Sequence, residues 1–187
     1  MANRSVAYLG LGSNLGDRLV ALRSAVTALD DHPDIGVDYA RGIASLYETS
    51  PVGGPAGQGP YLNSVIRIRT SLAPAGLLVA VWAVERLLGR ERNERWDART
   101  LDIDILFFDD VVLTTPDLVV PHPALHERRF VLEPLAEIAG DLVHPVLGKT
   151  VLQLAEALRK DSAQSLRKIA PANWARAGLE CRMSNSE

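Results

Sequence analysis

Arg95-Trp96-Asp97-Ala98-Arg99-Thr100-Leu101-Asp102-Ile103-Asp104-Ile105-Leu106-Phe107-Phe108 brings arginines, two spaced aspartates and an apolar strand pattern into one window. From Leu101 to Phe108 the residues are rich in β-branched and aromatic types, without Gly or Pro, so a strand is expected, and alternate residues of a strand face the same way. Asp102 and Asp104 then share a face with their roots about 6–7 Å apart. Ile103, Ile105 and Phe107 are expected on the other. Alternating acids are common on half-exposed strands, where water solvates them. The nearby Arg92, Arg95 and Arg99 shift the balance, because guanidinium forks match phosphate oxygens. Magnesium takes one or two carboxylates and leaves its remaining positions to water and substrate phosphates. The window therefore reads as a nucleoside-triphosphate site without a P-loop. Gly148-Lys149-Thr150 resembles the end of a P-loop, but Val143 stands where that motif demands Gly.

A chain of 187 residues suits one domain with a sizeable core. We expect that domain over residues 1–170 and a flexible tail over 171–187, where periodicity fades. The net charge of −3 and pI near 5.8 argue against a general polyanion binder, so no nucleic-acid partner is expected. One cysteine, Cys181, excludes an internal disulfide framework and fits a reducing compartment. The N-terminus lacks a long apolar leader core, and no apolar run approaches the roughly 18 residues of a membrane span. A cytoplasmic protein without a membrane partner is expected.

Along the chain, Val6–Leu9 reads as a strand, and Gly10-Leu11-Gly12-Ser13-Asn14-Leu15-Gly16 as a tight turn into a helix capped by Ser13 or Asn14. Leu19, Leu22, Val26 and Leu29 give that helix one apolar face. Val37–Glu48 reads as a long strand with a bulge at Gly42. The Gly/Pro-rich stretch from Thr49 to Pro60 is loop, long enough to suggest a lid. Leu62–Thr70 is a strand. A second helix starts near Pro74, buries Leu77, Val81, Val84 and Leu88, and ends at Gly89. Glu85 beside that stripe is either a solvated helix charge or an anchor for a hydroxyl or an arginine. After the aspartate strand, Asp109-Asp110 predicts a hairpin into Val111–Leu113. His122 and His126 lie four apart, but Pro123 and the lack of a third ligand make zinc a poor reading. Two more helices are expected, over Val131–Ala139 and around Val151, Leu154 and Leu158.

Gly12-Ser13-Asn14-Leu15, Tyr61-Leu62-Asn63, the aspartate window, Val120-Pro121-His122-Pro123 and Arg128-Arg129-Phe130 occur in this order. Together they make residues 5–160 closely resemble the 6-hydroxymethyl-7,8-dihydropterin pyrophosphokinase family of folate biosynthesis. The resemblance implies a ferredoxin-like α/β (α+β) sandwich, with a mainly antiparallel sheet and helices packed on it. It implies transfer of pyrophosphate from ATP to the pterin hydroxymethyl group. Asp102 and Asp104 would hold two Mg²⁺ ions, and Tyr61 and Phe130 would sandwich the pterin. Asn63 would read the pterin amide edge with help from Thr49–Val52, including Thr49 and Val52 themselves. Glu85, Arg90, Arg92, Trp96, Arg99, His122 and Arg128 match the ATP and lid positions, with Arg92, Arg99 and Asp104 in catalytic roles. The base is left open between Asp104, a water on the metal and none.

This chain departs from the best-known pattern in places. The arginine lid is one residue short between Arg92 and Trp96, and Asp117 and Val119 stand where some members place nucleotide contacts. A monomer is expected. A non-catalytic ferredoxin-like nucleotide sensor or RNA-binding module would need neither aspartate, and an ordinary kinase would release ADP instead of AMP.

Overall fold

The computed structural model of the chain describes residues 4–50, 59–89, 100–161 and 165–178. Its centre is β4 (Tyr61–Thr70), which pairs antiparallel with β1 (Ser5–Ser13) along one edge. Two shorter strands share its other edge: β2 (Ile35–Val37) lies against Ile68–Thr70, and β3 (Leu46–Thr49) against Tyr61–Asn63. Beyond β1 lies β5 (Asp102–Phe108), and beyond β3 lies β8 (Leu166–Ala170), so the main order is β5-β1-β4-β3-β8. Among the described residues every pairing in this sheet is antiparallel. Both edge strands are guarded: β8 turns Arg167 and Lys168 outward, and the His122 amide donates to the Leu106 carbonyl of β5.

The single strand expected over Val37–Glu48 is two strands separated by a bend. Asp38 causes the break. Its carboxylate accepts the amides of Ala40 and Arg41 and pairs with Arg67, and its carbonyl accepts the Gly42 amide at 2.8 Å. A Cβ at Gly42 would stand 2.7 Å from the Asp38 Cβ and 2.8 Å from that of Arg67, so only glycine closes this bend.

One face of the sheet carries α1 (Arg18–Asp30) and α2 (Pro74–Leu87). The expected turn at Gly10 is instead the continuation of β1, and the first cap is Asp17, whose carboxylate accepts the Val20 amide at 3.0 Å. Ser13 and Asn14 are buried beneath it. Leu22, Val26 and Leu29 of α1 and Leu77 and Val81 of α2 meet Leu9, Leu11, Ile66, Ile103 and Ile105 in one core. Each such side chain, taken wholly from water, contributes roughly 1.5–3 kcal/mol.

The opposite face carries α3 (Arg129–Ala139) and α4 (Val151–Asp161), which bury Tyr8, Val65, Leu106 and Phe107. Phe107 is therefore on the aspartate face, contrary to simple alternation. The reason is a β-bulge: Tyr8 pairs with Phe107 and Leu9 with Ile105, leaving Leu106 as an extra residue. Downstream of the bulge the alternation is inverted, and Phe108 joins Ile103 and Ile105 in the first core.

The hairpin also differs from expectation. Asp109 turns at φ 44, a conformation aspartate tolerates, but Leu113–Thr114 (β6) pairs with Val119–Val120 (β7) instead of folding back on β5. The chain does not leave the body at residue 170. A 3-10 helix over Ala172–Gly178 follows, and Trp174 within it is only 4% exposed. Among the described residues no helix is long and apolar enough to cross a membrane.

His144, 6% exposed, meets the Phe107 ring edge-on, and its Nδ1 accepts the amides of Val146 and Leu147. Burial, with His126 nearby, holds this imidazole below its ordinary pKa. A depressed pKa gives stability that is present above the unfolded value near 6.5 and lost as pH falls toward the folded one. His144→Asn, which keeps an acceptor but takes no proton, is expected to flatten the fall in thermal midpoint between about pH 7 and pH 5. Equal slopes in the two proteins would contradict this placement of His144.

Candidate active site

Only part of the second face lies under α3 and α4; the rest forms the candidate site. Gly12 of β1 pairs with Asn63 on one side and with Asp102 on the other, and Gly10 pairs with Val65 and Asp104. Residues paired across neighbouring strands point to the same face. The carboxamide of Asn63 and the carboxylates of Asp102 and Asp104 thus rise on either side of a strip of β1 that has no side chains. At Gly12 a Cβ would come within 3.2 Å of the Asn63 Oδ1. The two glycines form a floor; they are not a turn. The signal was available in their spacing of two, which places both on one face of a strand.

On one side of the floor, Asn63 is buried and its Nδ2 donates to Thr49 Oγ1 at 2.8 Å. With Nδ2 on that hydroxyl, Oδ1 faces the Gly12 side. Tyr61, next on the same face of β4, pairs with Thr49. On the other side, Asp104 Oδ2 accepts from Arg128 at 3.2 Å and lies 3.8 Å from His122 Nε2. The Arg128 guanidinium in turn sits 5.8 Å from the centre of the Phe130 ring. The Ala124 amide donates to His122 Nδ1, so a neutral ring carries its proton on Nε2, the nitrogen nearer Asp104. Burial pushes the His122 imidazole below its ordinary pKa, against the pull of Asp104.

Glu85 is not a solvated helix charge. It is 2% exposed, and its Oε1 accepts the Ile103 amide at 2.8 Å. Its position on α2 therefore sets the backbone between the two aspartates. α2 lies on the face opposite the site, so Glu85 acts on β5 from behind.

The structure brings together Asp102, Asp104, His122, Arg128 and Phe130 on one flank, and Thr49, Tyr61 and Asn63 on the other. Val52, Arg90, Arg92, Trp96 and Arg99 lie outside the described residues. Among the described residues no group of three or more His, Cys, Asp or Glu side chains is poised as a complete metal cage. Two half-buried carboxylates, hard oxygen donors with a guanidinium already drawn to one of them, nonetheless fit a magnesium-type ion whose other positions go to phosphate and water.

A model of the family described as 7,8-dihydro-6-hydroxymethylpterin-pyrophosphokinase (HPPK) matches residues 8–140. The chain is 47% identical over 134 residues to a 2-amino-4-hydroxy-6-hydroxymethyldihydropteridine pyrophosphokinase of Bacillus subtilis, covering 72% of this chain and 78% of the relative. It is 43% identical over 163 residues to the protein of that name from Methylorubrum extorquens, covering 87% of this chain and 98% of the relative. Among solved structures it is similar to a Plasmodium falciparum HPPK-DHPS, with a TM-score of 0.67 and 17% identity over 85% of this chain. That likeness speaks for the fold alone, and the chain spans 47% of that longer protein.

Removing the Glu85 acceptor strands a buried amide in the strand that carries Asp102 and Asp104. Glu85→Ala is expected to lower unfolding stability by about 1–3 kcal/mol, and Glu85→Gln by less because it keeps an acceptor. Denaturant unfolding compares the two variants, and equal losses would show that the Ile103 contact is not the source.

Proposed function

Because the chain belongs to the 7,8-dihydro-6-hydroxymethylpterin-pyrophosphokinase family, we propose that it transfers pyrophosphate from ATP to 6-hydroxymethyl-7,8-dihydropterin, giving AMP and the pterin diphosphate, a step of folate biosynthesis. The observation that carries this reading is the shared face on which Asn63 and the pair Asp102 and Asp104 flank the bare strip at Gly10 and Gly12. One flank suits a flat heterocycle with an amide edge, and the other suits a metal-bound triphosphate.

The pterin lies with its amide edge on Asn63, whose Oδ1 accepts from the ring and whose Nδ2 is oriented by Thr49. Tyr61 and Phe130 stack against its two faces, and Thr49 and Val52 supply backbone groups along its edge. Asp102 and Asp104 would hold two Mg²⁺ ions, which would supply positive charge to offset that of the phosphates. The hydroxymethyl oxygen attacks the β-phosphorus in line: its new bond to phosphorus forms as the bond from that phosphorus to the α,β-bridging oxygen breaks, and AMP leaves with that oxygen. The hydroxyl proton is lost in the same step, to Asp104 or to water.

Arg128 and His122, which face Asp104, are placed to bind the phosphates of a nucleotide beside it. Arg92 and Arg99 stabilise charge as it develops on the transferring group, and Arg90 and Trp96 serve the nucleotide, whereas the expected nucleotide role of Glu85 gives way to holding the Ile103 amide from the opposite face. Positioning and electrostatics supply the rate, with no covalent enzyme intermediate. The protein acts in the cytoplasm as a monomer, with ATP and the dihydropterin as its partners and no nucleic acid or membrane.

Incubation with Mg²⁺, ATP and the dihydropterin alcohol, followed by separation of nucleotides, is expected to yield AMP; release of ADP would instead identify an ordinary kinase. Asp102→Asn is expected to lower kcat on the order of 10²-fold at saturating Mg²⁺, as for loss of one electrostatic contact at developing charge. A near-normal rate would remove Asp102 from the metal site. For Arg92→Ala, kcat is expected to fall more than pterin affinity does, whereas the reverse split would place Arg92 in ground-state binding.

A further inference from the structure

The C-terminal segment beyond the family-matched residues 8–140 ends by docking under the strand that orients Asn63. β8 runs along the outer edge of β3, with Leu166 opposite Thr49, Lys168 opposite Tyr47 and Ala170 opposite Leu46. Side chains reinforce the pairing. Ser165 and Ser50 share a hydroxyl hydrogen bond at 2.9 Å, Arg167 pairs with Glu48, and Lys168 pairs with Glu137, which also accepts from Tyr47 and from the Ser45 amide.

The chain then crosses beneath β3 and plants Trp174 in the core shared with α1. The indole N–H donates to the Ala44 carbonyl at 2.9 Å, and the Trp174 carbonyl accepts from Arg23 of α1 at 2.8 Å. Ala44 is the last residue but one before β3, and its carbonyl also accepts from Ser64, the neighbour of Asn63 on β4. β3 itself contributes only Tyr47, Glu48 and Thr49 to its register with β4. A strand this short gains its placement from what holds its ends and its outer edge.

We propose that Trp174 is a positioning residue for pterin recognition. By anchoring Ala44 from below, it sets β3 and hence the Thr49 hydroxyl that orients the Asn63 carboxamide. It lies on the opposite face of the sheet from the site and touches no substrate. The proposal rests on the assignment of Asn63 to the pterin. It separates the two substrates, because Asp102, Asp104, His122 and Arg128 belong to β5 and the segment after β7, which the clasp does not touch. A merely structural role would lower the folded fraction, reducing apparent kcat while leaving both affinities of the folded molecules unchanged.

Trp174→Phe keeps a ring in the core and removes the donor to Ala44, and Arg23→Gln loosens the other end of the clasp from the partly exposed side of α1. In the full-length chain, equilibrium binding of 6-hydroxymethyl-7,8-dihydropterin is measured by fluorescence quenching, and binding of a non-hydrolysable ATP analogue with Mg²⁺ by calorimetry. Circular dichroism establishes that each variant is folded. For Trp174→Phe the pterin Kd is expected to rise about fivefold or more while the ATP-analogue Kd stays within about twofold; Arg23→Gln should shift in the same direction by less. Unchanged pterin affinity in folded Trp174→Phe, or equal weakening of both ligands, overturns the proposal. If Trp174→Phe does not fold, Arg23→Gln decides by the same comparison. Failure of the unmodified protein to bind the pterin would instead refute the assignment of Asn63.

Discussion

One extra residue in an edge strand sets the boundary between the candidate site and the core beside it. Leu106 interrupts the pairing of β5 with β1, so the strand presents Asp102 and Asp104 and then Phe107 on the same face. Without the bulge, simple alternation would have continued the aspartate face through Leu106 and sent Phe107 to the helices on the other side. With it, Leu106 and Phe107 both enter the core under α3 and α4, and that core ends where the carboxylates begin. The Leu106 carbonyl also receives the His122 amide, which returns the chain to β5 and puts the imidazole beside Asp104. A bulge next to a site re-aims side chains in this way at little energetic expense, because only one ladder position is lost.

The same face is made usable by what is missing from it. Gly10 and Gly12 leave the middle strand bare between Asn63 and the aspartates, and any side chain at residue 12 would press on the Asn63 carboxamide. Electrostatics complete the arrangement. Two neighbouring carboxylates repel each other, and in the ligand-free molecule Arg128 offsets part of that repulsion at Asp104 while Glu85 fixes the backbone from the far side of the sheet.

Much of this was legible in the residues. The helix over Arg18–Asp30 followed from Leu22, Val26 and Leu29, and the mixed α/β fold with a mainly antiparallel sheet followed from the family resemblance. Asp102 and Asp104 were correctly placed on one face. Period-two reasoning failed where geometry departs from it: at the Leu106 bulge, which inverted Phe107, and at the Asp38–Gly42 bend, which cut one expected strand into two. Gly10 and Gly12 read as a turn because glycine signals a turn locally; their spacing of two is equally that of one strand face, and the register with β4 and β5 makes them a floor. Glu85 and Trp174 depend on partners 18 and 130 residues away, Ile103 and Ala44, which no local pattern specifies.

The central claim is that the bulged strand aims Asp102 and Asp104 at a metal-bound triphosphate across a glycine floor from the heterocycle. Anomalous diffraction from crystals grown with Mn²⁺, a non-hydrolysable ATP analogue and the dihydropterin tests it most directly. Manganese peaks ligated by both carboxylates, with the pterin over Gly12 and against Asn63, are the predicted result. Manganese bound elsewhere, or carboxylates turned away from it while the analogue is present, would contradict the account.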